Sequence, residues 1–172
     1  MKILIAAFCL AFAIPATATT LAIRAGAVID PEHGSVARNQ VVLVEDGRIK
    51  AIGADVAIPA NAKVIDLSHE WLMPGLMDAH THLTLTEVMG GDAPFESFYI
   101  KESTAYRALR GLHNAGTVLA AGFTTIRDVG NEGAYAIEDV KRAIEAGMFT
   151  GPTIVASGKI IAPFGGPSHS IP

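Results

Sequence analysis

The region after residue 73 alternates short apolar or β-branched runs with segments of helical periodicity, and this order limits the fold more than any other feature. Strands are predicted after Pro74-Gly75 and at 123–128 and 153–157. Helices are predicted around 105–119 and 137–144, and Gly122 and Gly147 suit their C-terminal ends. Strands joined by helices of this length form right-handed, parallel βαβ units. The pattern therefore predicts an α/β fold built on a parallel sheet.

A β-rich pattern precedes this region. From residue 20 to about 64, short β-type runs alternate with turns. Asp46-Gly47 lies between two apolar runs, which is a strong signal for a two-residue hairpin. We therefore expect a small β-sheet domain at 19–72 and a separate α/β domain at 73–172.

The N-terminus predicts an export signal. Lys2 is followed by an apolar stretch from residue 3 to 14, and Ala16 and Ala18 form a small-residue cleavage motif. The sequence predicts a signal peptide at 1–18 and a periplasmic or secreted protein. A membrane anchor is the alternative, although the apolar stretch is short for a bilayer. Cleavage would also remove Cys9, the single cysteine of the chain, and would leave neither a disulfide nor a thiolate nucleophile.

The charge pattern argues against a nucleic-acid partner. The chain carries 17 acidic and 13 basic side chains, and the basic ones are scattered. Nucleic-acid binding proteins concentrate Lys and Arg on one face.

His80-Thr81-His82 is the strongest candidate for chemistry. Alternate residues of a strand share a face, so Asp78, His80 and His82 are expected to point the same way. Two imidazoles on one face can bind one divalent metal ion, and Asp78 could orient a ligand. Two ordinary histidines would give the same short pattern, since a metal site needs three or four ligands.

Three stretches carry a family resemblance, at 73–83, 121–128 and 151–158. The first reads Met-Pro-Gly-Leu-Met-Asp-Ala-His-Thr-His-Leu and is the most specific of them. With them, residues 20–172 resemble the metal-dependent amidohydrolase superfamily. The ends of the second and third strands look most like its imidazolonepropionase and Xaa-Pro dipeptidase branch.

The resemblance implies a TIM (β/α)₈ barrel, which takes about 250 residues. The chain would hold the first three βα units of that barrel, preceded by part of a small β-sandwich that C-terminal strands complete. We therefore expect an N-terminal fragment that stops at Pro172.

The resemblance also implies the metal site. His80 and His82 would bind a divalent metal, zinc, as one or two ions. Further ligands would come from later strands: a lysine or glutamate, two histidines, and an aspartate that also acts as general base. Without them, the chain alone should have little activity.

Two further residues are candidates for orienting ligands or binding substrate. Asp128 ends the second strand, where barrel active sites are built, although a cap or an ion pair would explain it equally simply. Its neighbour Arg127 has the opposite parity and is expected to pack between strand and helix. His169 follows the third strand, and the resemblance implies a substrate contact there. Its Gly-Gly-Pro-Ser-His spacing departs from the family's commoner Gly-Gly-His, and a surface histidine is an equal alternative.

These features together predict a metal-dependent hydrolase that cleaves amide or peptide C–N bonds through metal-activated water, as a dipeptidase or amidase. Export favours dipeptides or N-acyl amino acids as substrates. No membrane contact is expected after signal cleavage, and the full-length form could be a homo-oligomer. The alternatives are a secreted, non-catalytic module that binds metal or a small ligand, and a truncated product without function.

Overall fold

A computed structural model describes residues 20–85, 102–130 and 135–161. The chain divides into two compact units, one ending at Pro74 and the other beginning at Gly75. The predicted signal peptide at 1–18 and the candidate His169 lie outside the described residues. Within the described residues, no helix combines the length and the apolar character that a bilayer crossing requires.

The first unit is a four-stranded sheet. Its strands are β1 (Thr20–Asp30), β2 (Ser35–Glu45), β3 (Arg48–Gly53) and β4 (Lys63–Leu72), in the order β3-β2-β1-β4. β1 pairs antiparallel with β2 and parallel with β4. The predicted hairpin joins β2 to β3, and Asp46 and Gly47 both have positive φ, as a tight hairpin turn requires.

The second unit has the mixed α/β structure that the sequence predicts. Strands β5 (Leu76–Thr81), β6 (Phe123–Asp128) and β7 (Thr153–Ala156) are parallel and adjacent in that order. Helix α1 (Thr104–Ala120) lies between β5 and β6 in the chain, and α2 (Ala136–Glu145) lies between β6 and β7. The helices cover one face of the sheet. The core between the helices and this face contains Leu83, Ala115, Ile126, Ile137, Val140 and Ile154.

Helix α1 is held close to the end of β5. Ser103 caps its N-terminus, because the Ser103 side chain accepts a hydrogen bond from the backbone N of Tyr106. Gly111 faces inward, where a Cβ atom would lie 3.0 Å from Cγ2 of Thr84 and 3.2 Å from Cγ2 of Val140. The absence of a side chain there lets the helix approach the segment that follows the histidines.

A β-bulge interrupts β5. Asp78 pairs with Ile126 and Thr81 pairs with Asp128, so β5 advances three residues where β6 advances two. Paired residues of parallel strands share a face, which places Asp78 on the side of Ile126, under the helices. His80 and His82 flank Thr81 and lie on the opposite side. The prediction that Asp78 shares a face with the histidines is therefore wrong, because the extra residue changes the alternation.

The sides of Arg127 and Asp128 are also reversed relative to the prediction. Asp128 has the parity of Ile126 and is fully buried on the helix side. Arg127 is exposed on the other side, the one that carries the histidines. The expectation that Arg127 packs between strand and helix is therefore wrong. The alternation of side chains along a strand correctly placed Arg127 and Asp128 on opposite faces of β6. It could not show which of those faces the helices cover.

Candidate metal centre

The structure brings the two imidazoles of His80 and His82 together. Their ring centroids are 5.3 Å apart and the ring planes are inclined at 70°. A nitrogen about 2 Å from zinc puts its ring centre about 3 Å from the ion, so two rings at a tetrahedral angle have centres about 5 Å apart. The observed separation fits two ligands of one metal ion.

The orientation of His82 suits a metal ligand as well. Its Nδ1 lies 2.6 Å from the carbonyl oxygen of Gly130, 48 residues away in sequence. A carbonyl oxygen only accepts hydrogen bonds, so Nδ1 carries the proton and donates it. The lone pair of the neutral ring is then on Nε2, the arrangement that metal-binding histidines commonly adopt.

Two side chains bond to the backbone of the bulge at Ala79 and His80. The backbone N of His80 donates to Oδ1 of Asp78 at 2.9 Å. Nε of Arg127 donates to the carbonyl oxygen of Ala79 at 2.8 Å. Asp78 thus acts on the histidine strand through the backbone rather than from the histidine face.

Asp128 accepts hydrogen bonds from two backbone N–H groups near His82. Its Oδ2 accepts a hydrogen bond from the backbone N of Leu83 at 2.8 Å, and its Oδ1 accepts one from the backbone N of Gly130 at 3.2 Å. The carboxylate is fully buried. The structure therefore places this predicted candidate beside the histidine segment, in contact with its backbone.

Helix α1 adds two contacts that sequence reasoning missed. Nδ2 of Asn114 donates to the carbonyl oxygen of Leu83 at 2.8 Å, and Nη1 of Arg110 donates to that of Thr84 at 3.3 Å. Glu102 pairs with Arg110 and raises the pKa of its guanidinium, which stays charged. Arg110 and Asn114 are four residues apart and share a helix face, so their spacing was an available signal.

The described residues bring together two side chains, His80 and His82, that could serve as ligands of one metal ion. Within 20–85, 102–130 and 135–161, no group of three His, Cys, Asp or Glu side chains is placed to hold an ion. Catalytic zinc sites use three protein ligands and a water. A catalytic zinc site built on His80 and His82 would therefore need at least one further protein ligand.

The family of the chain follows from comparison with known proteins. A model described as the amidohydrolase family matches residues 71–169, more than half of the chain. The chain belongs to the amidohydrolase family, whose members typically hydrolyse C–N bonds with the help of metal. The resemblance in the sequence is thereby confirmed.

Individual relatives differ in activity. A dihydroorotase of Trichlorobacter lovleyi is 44% identical over 63 residues, which are 37% of this chain and 15% of that protein. Ochratoxinase of Aspergillus niger is 30% identical over 149 residues, covering 81% of this chain and 28% of that one. The solved structure of a Xaa-Pro dipeptidase with bound methionine matches with a TM-score of 0.73 at 29% identity, over 84% of this chain and 34% of that one.

The chain spans only part of each of these proteins. It covers about a third of the solved dipeptidase and smaller shares of the two curated relatives. The comparisons therefore establish the family and the general class of chemistry for this region, and leave the individual activity to be proposed.

Proposed function

We propose that this chain is the N-terminal part of an exported, metal-dependent hydrolase that cleaves an amide or peptide C–N bond in a small molecule. The observation that carries the proposal is the pair His80 and His82, with ring centres 5.3 Å apart and His82 held with Nε2 free. In this proposal the three parallel strands are the first strands of a (β/α)₈ barrel. The four-stranded sheet is part of an accompanying β-sandwich.

In this proposal, the residues of this chain bind the metal ion and hold its ligands in place, and they do not transfer protons. His80 and His82 provide two neutral nitrogen ligands, and the carbonyl of Gly130 keeps the proton of His82 at Nδ1. A bound divalent ion, zinc in this proposal, would lower the pKa of its water to about 7 and polarise the substrate carbonyl. The remaining ligands and the general base would come from outside the described residues.

The proposed substrate is a dipeptide or an N-acyl amino acid. The Xaa-Pro dipeptidase and ochratoxinase match more than four fifths of this chain, whereas the dihydroorotase matches a shorter stretch. The predicted signal peptide at 1–18 adds a second argument, because an exported enzyme meets peptides and acylated amino acids rather than intracellular ring compounds. These observations favour a linear amide over a cyclic one.

Zinc titration tests the metal site directly. Calorimetry on the purified protein, extended past Pro172 by its own reading frame, should show that His80→Ala and His82→Ala each weaken zinc binding by more than about 10-fold, since each removes one ligand nitrogen. His113→Ala is the matched control, because His113 is exposed on α1, and it should bind zinc as the unaltered chain does.

Hydrolysis tests the reaction. The zinc-loaded protein, extended past Pro172 by its own reading frame, is assayed with Xaa-Pro dipeptides and N-acyl amino acids. Turnover that both histidine substitutions abolish is the expected result. Unchanged metal content and rate in those variants would overturn the proposal. Stoichiometric zinc without turnover of any amide would instead identify a binding module.

A further inference from the structure

We propose that Asp128 is a positioning residue that sets the tautomer and orientation of His82 through two backbone groups. The consequence for metal binding rests on the proposed function, but the positioning itself can be measured without metal. The bonds of Asp128 that carry this role go to two backbone N–H groups. Asp128 accepts a hydrogen bond from the N–H of Leu83, the residue after His82. It accepts another from the N–H of Gly130, whose carbonyl oxygen accepts the hydrogen bond from Nδ1 of His82.

The first link runs through Gly130. Oδ1 of Asp128 accepts from the N–H of Gly130, and the carbonyl of the same glycine accepts from Nδ1 of His82. Gly130 has φ of 131°, a conformation that residues with side chains rarely adopt, and a Cβ there would lie 2.3 Å from Cγ1 of Ile160. With its amide fixed and its φ in this region, the residue has little freedom to turn its carbonyl away from the ring.

The second link runs through Leu83. Oδ2 of Asp128 accepts from the N–H of Leu83, which belongs to the peptide group directly after His82. Holding that peptide group restricts ψ of His82 and, with it, the direction in which the Cα–Cβ bond of His82 points. The same carboxylate thus fixes both the backbone that carries the ring and the carbonyl that the ring contacts.

A carboxylate is the side chain that this geometry requires. Both backbone partners are N–H donors, so both oxygens must accept, and an ionised carboxylate is acceptor-only. The group is fully buried, where a charge-assisted hydrogen bond is stronger than in water. Asparagine has the same shape, but its NH₂ group would face one of the two N–H groups and could not bond to it.

The test is the tautomer of His82 in the metal-free chain. Long-range ¹⁵N–¹H spectra at about pH 8.5, where imidazoles are neutral, should show Nδ1–H for His82 in the unaltered chain. In Asp128→Asn one of the two backbone bonds is lost, so the His82 ring and its partner carbonyl are held less firmly, and the fraction of His82 in the Nε2–H form should rise. In the protein extended past Pro172, zinc binding should weaken by about 10- to 100-fold, the usual effect of losing a group that orients a histidine ligand.

Two control variants separate positioning from general destabilisation. Asp139→Asn makes the same chemical change at an exposed position of α2. Ile154→Val loosens the core beneath the sheet without altering any of the hydrogen bonds around His82. Both variants should keep the Nδ1–H tautomer of His82.

Each outcome has a defined meaning. A wild-type chain with Nε2–H at His82 overturns the inference, and this holds even if Asp128→Asn fails to fold. An unchanged tautomer in a folded Asp128→Asn variant overturns it too. A tautomer change in that variant alone supports the inference. If the tautomer changes while the protein extended past Pro172 binds no zinc, the positioning role stands and the proposed metal function fails.

Discussion

The two units of the molecule each join a histidine to an aspartate, in different ways. In the turn between β1 and β2, Nδ1 of His33 lies 2.7 Å from Oδ2 of Asp30, three residues away, and both side chains are largely exposed. In the second unit, His82 bonds to Gly130 across 48 positions, and the buried Asp128 fixes that glycine.

The difference in sequence separation distinguishes a local side-chain contact, such as His33 with Asp30, from a contact that belongs to a candidate site. A contact three residues apart forms in a turn without help from the rest of the fold. A contact across more than 40 residues requires the loop between its ends to be closed, which costs entropy that only a packed core can offset. Polar groups held in this way are fixed by the whole unit, and fixed geometry is what metal binding and catalysis require.

The largest expected effect is on the free energy of unfolding when the core of either unit is altered. Ile126→Ala removes a 1% exposed side chain between the sheet and the helices, and should lower the free energy of unfolding by about 2–5 kcal/mol. Val42→Ala, in the first unit, deletes a smaller side chain and should cost less. Urea unfolding followed by amide resonances of each unit measures both. An equal or larger cost for Val42→Ala would break the comparison.

A smaller effect is expected for two amide side chains that each bond to a carbonyl. Asn114→Ala leaves the carbonyl of Leu83 without its long-range partner in a partly buried position and should cost about 1–3 kcal/mol. Gln40→Ala removes an exposed bond to the carbonyl of Arg38, two residues away, and should change stability by less than about 0.5 kcal/mol. Thermal unfolding of both variants would contradict the comparison if the two costs were the same.

The smallest effect is expected at the exposed pair. The side-chain hydrogen bond from His33 holds the pKa of Asp30 below its ordinary value. His33→Ala should raise that pKa towards the ordinary value, measured by an NMR titration of the carboxyl group. Since the pKa is lower in the folded state, any stability that Asp30 contributes is present at neutral pH and is lost as pH falls through the folded pKa.

The control for this titration is Asp66. Hydrogen bonds from Ser68 lower its pKa, and Asp66 lies outside the turn. Its titration should be the same in the unaltered chain and in His33→Ala. A midpoint of unfolding that moved clearly in this variant would mean that the exposed pair holds the fold, against the comparison drawn above.

Much of the local structure could be predicted from residue order. The strand at 123–128 has the predicted limits, and the strand from 153 ends one residue earlier than expected. Asp46-Gly47 gave the hairpin because positive φ is needed at both positions. The stretch at 73–83 identified the family, which the comparisons confirm.

The details of the candidate site could not be predicted in this way. The bulge at Ala79 and His80 contains neither glycine nor proline, so no local signal marks it, and it moved Asp78 to the other face. Which side of β6 the helices cover depends on packing against α1 and α2, and this reversed the sides of the strand expected for Arg127 and Asp128.

The sequence by itself determined the order of strands and helices, the hairpin, the proximity of His80 to His82, and the family. These follow from local conformational preference and from a short motif. Only the tertiary structure decided which groups hold the histidines in place. Asp128, Gly130 and Asn114 reach the histidine segment across 31 to 48 positions, and such distances are closed only when the core packs.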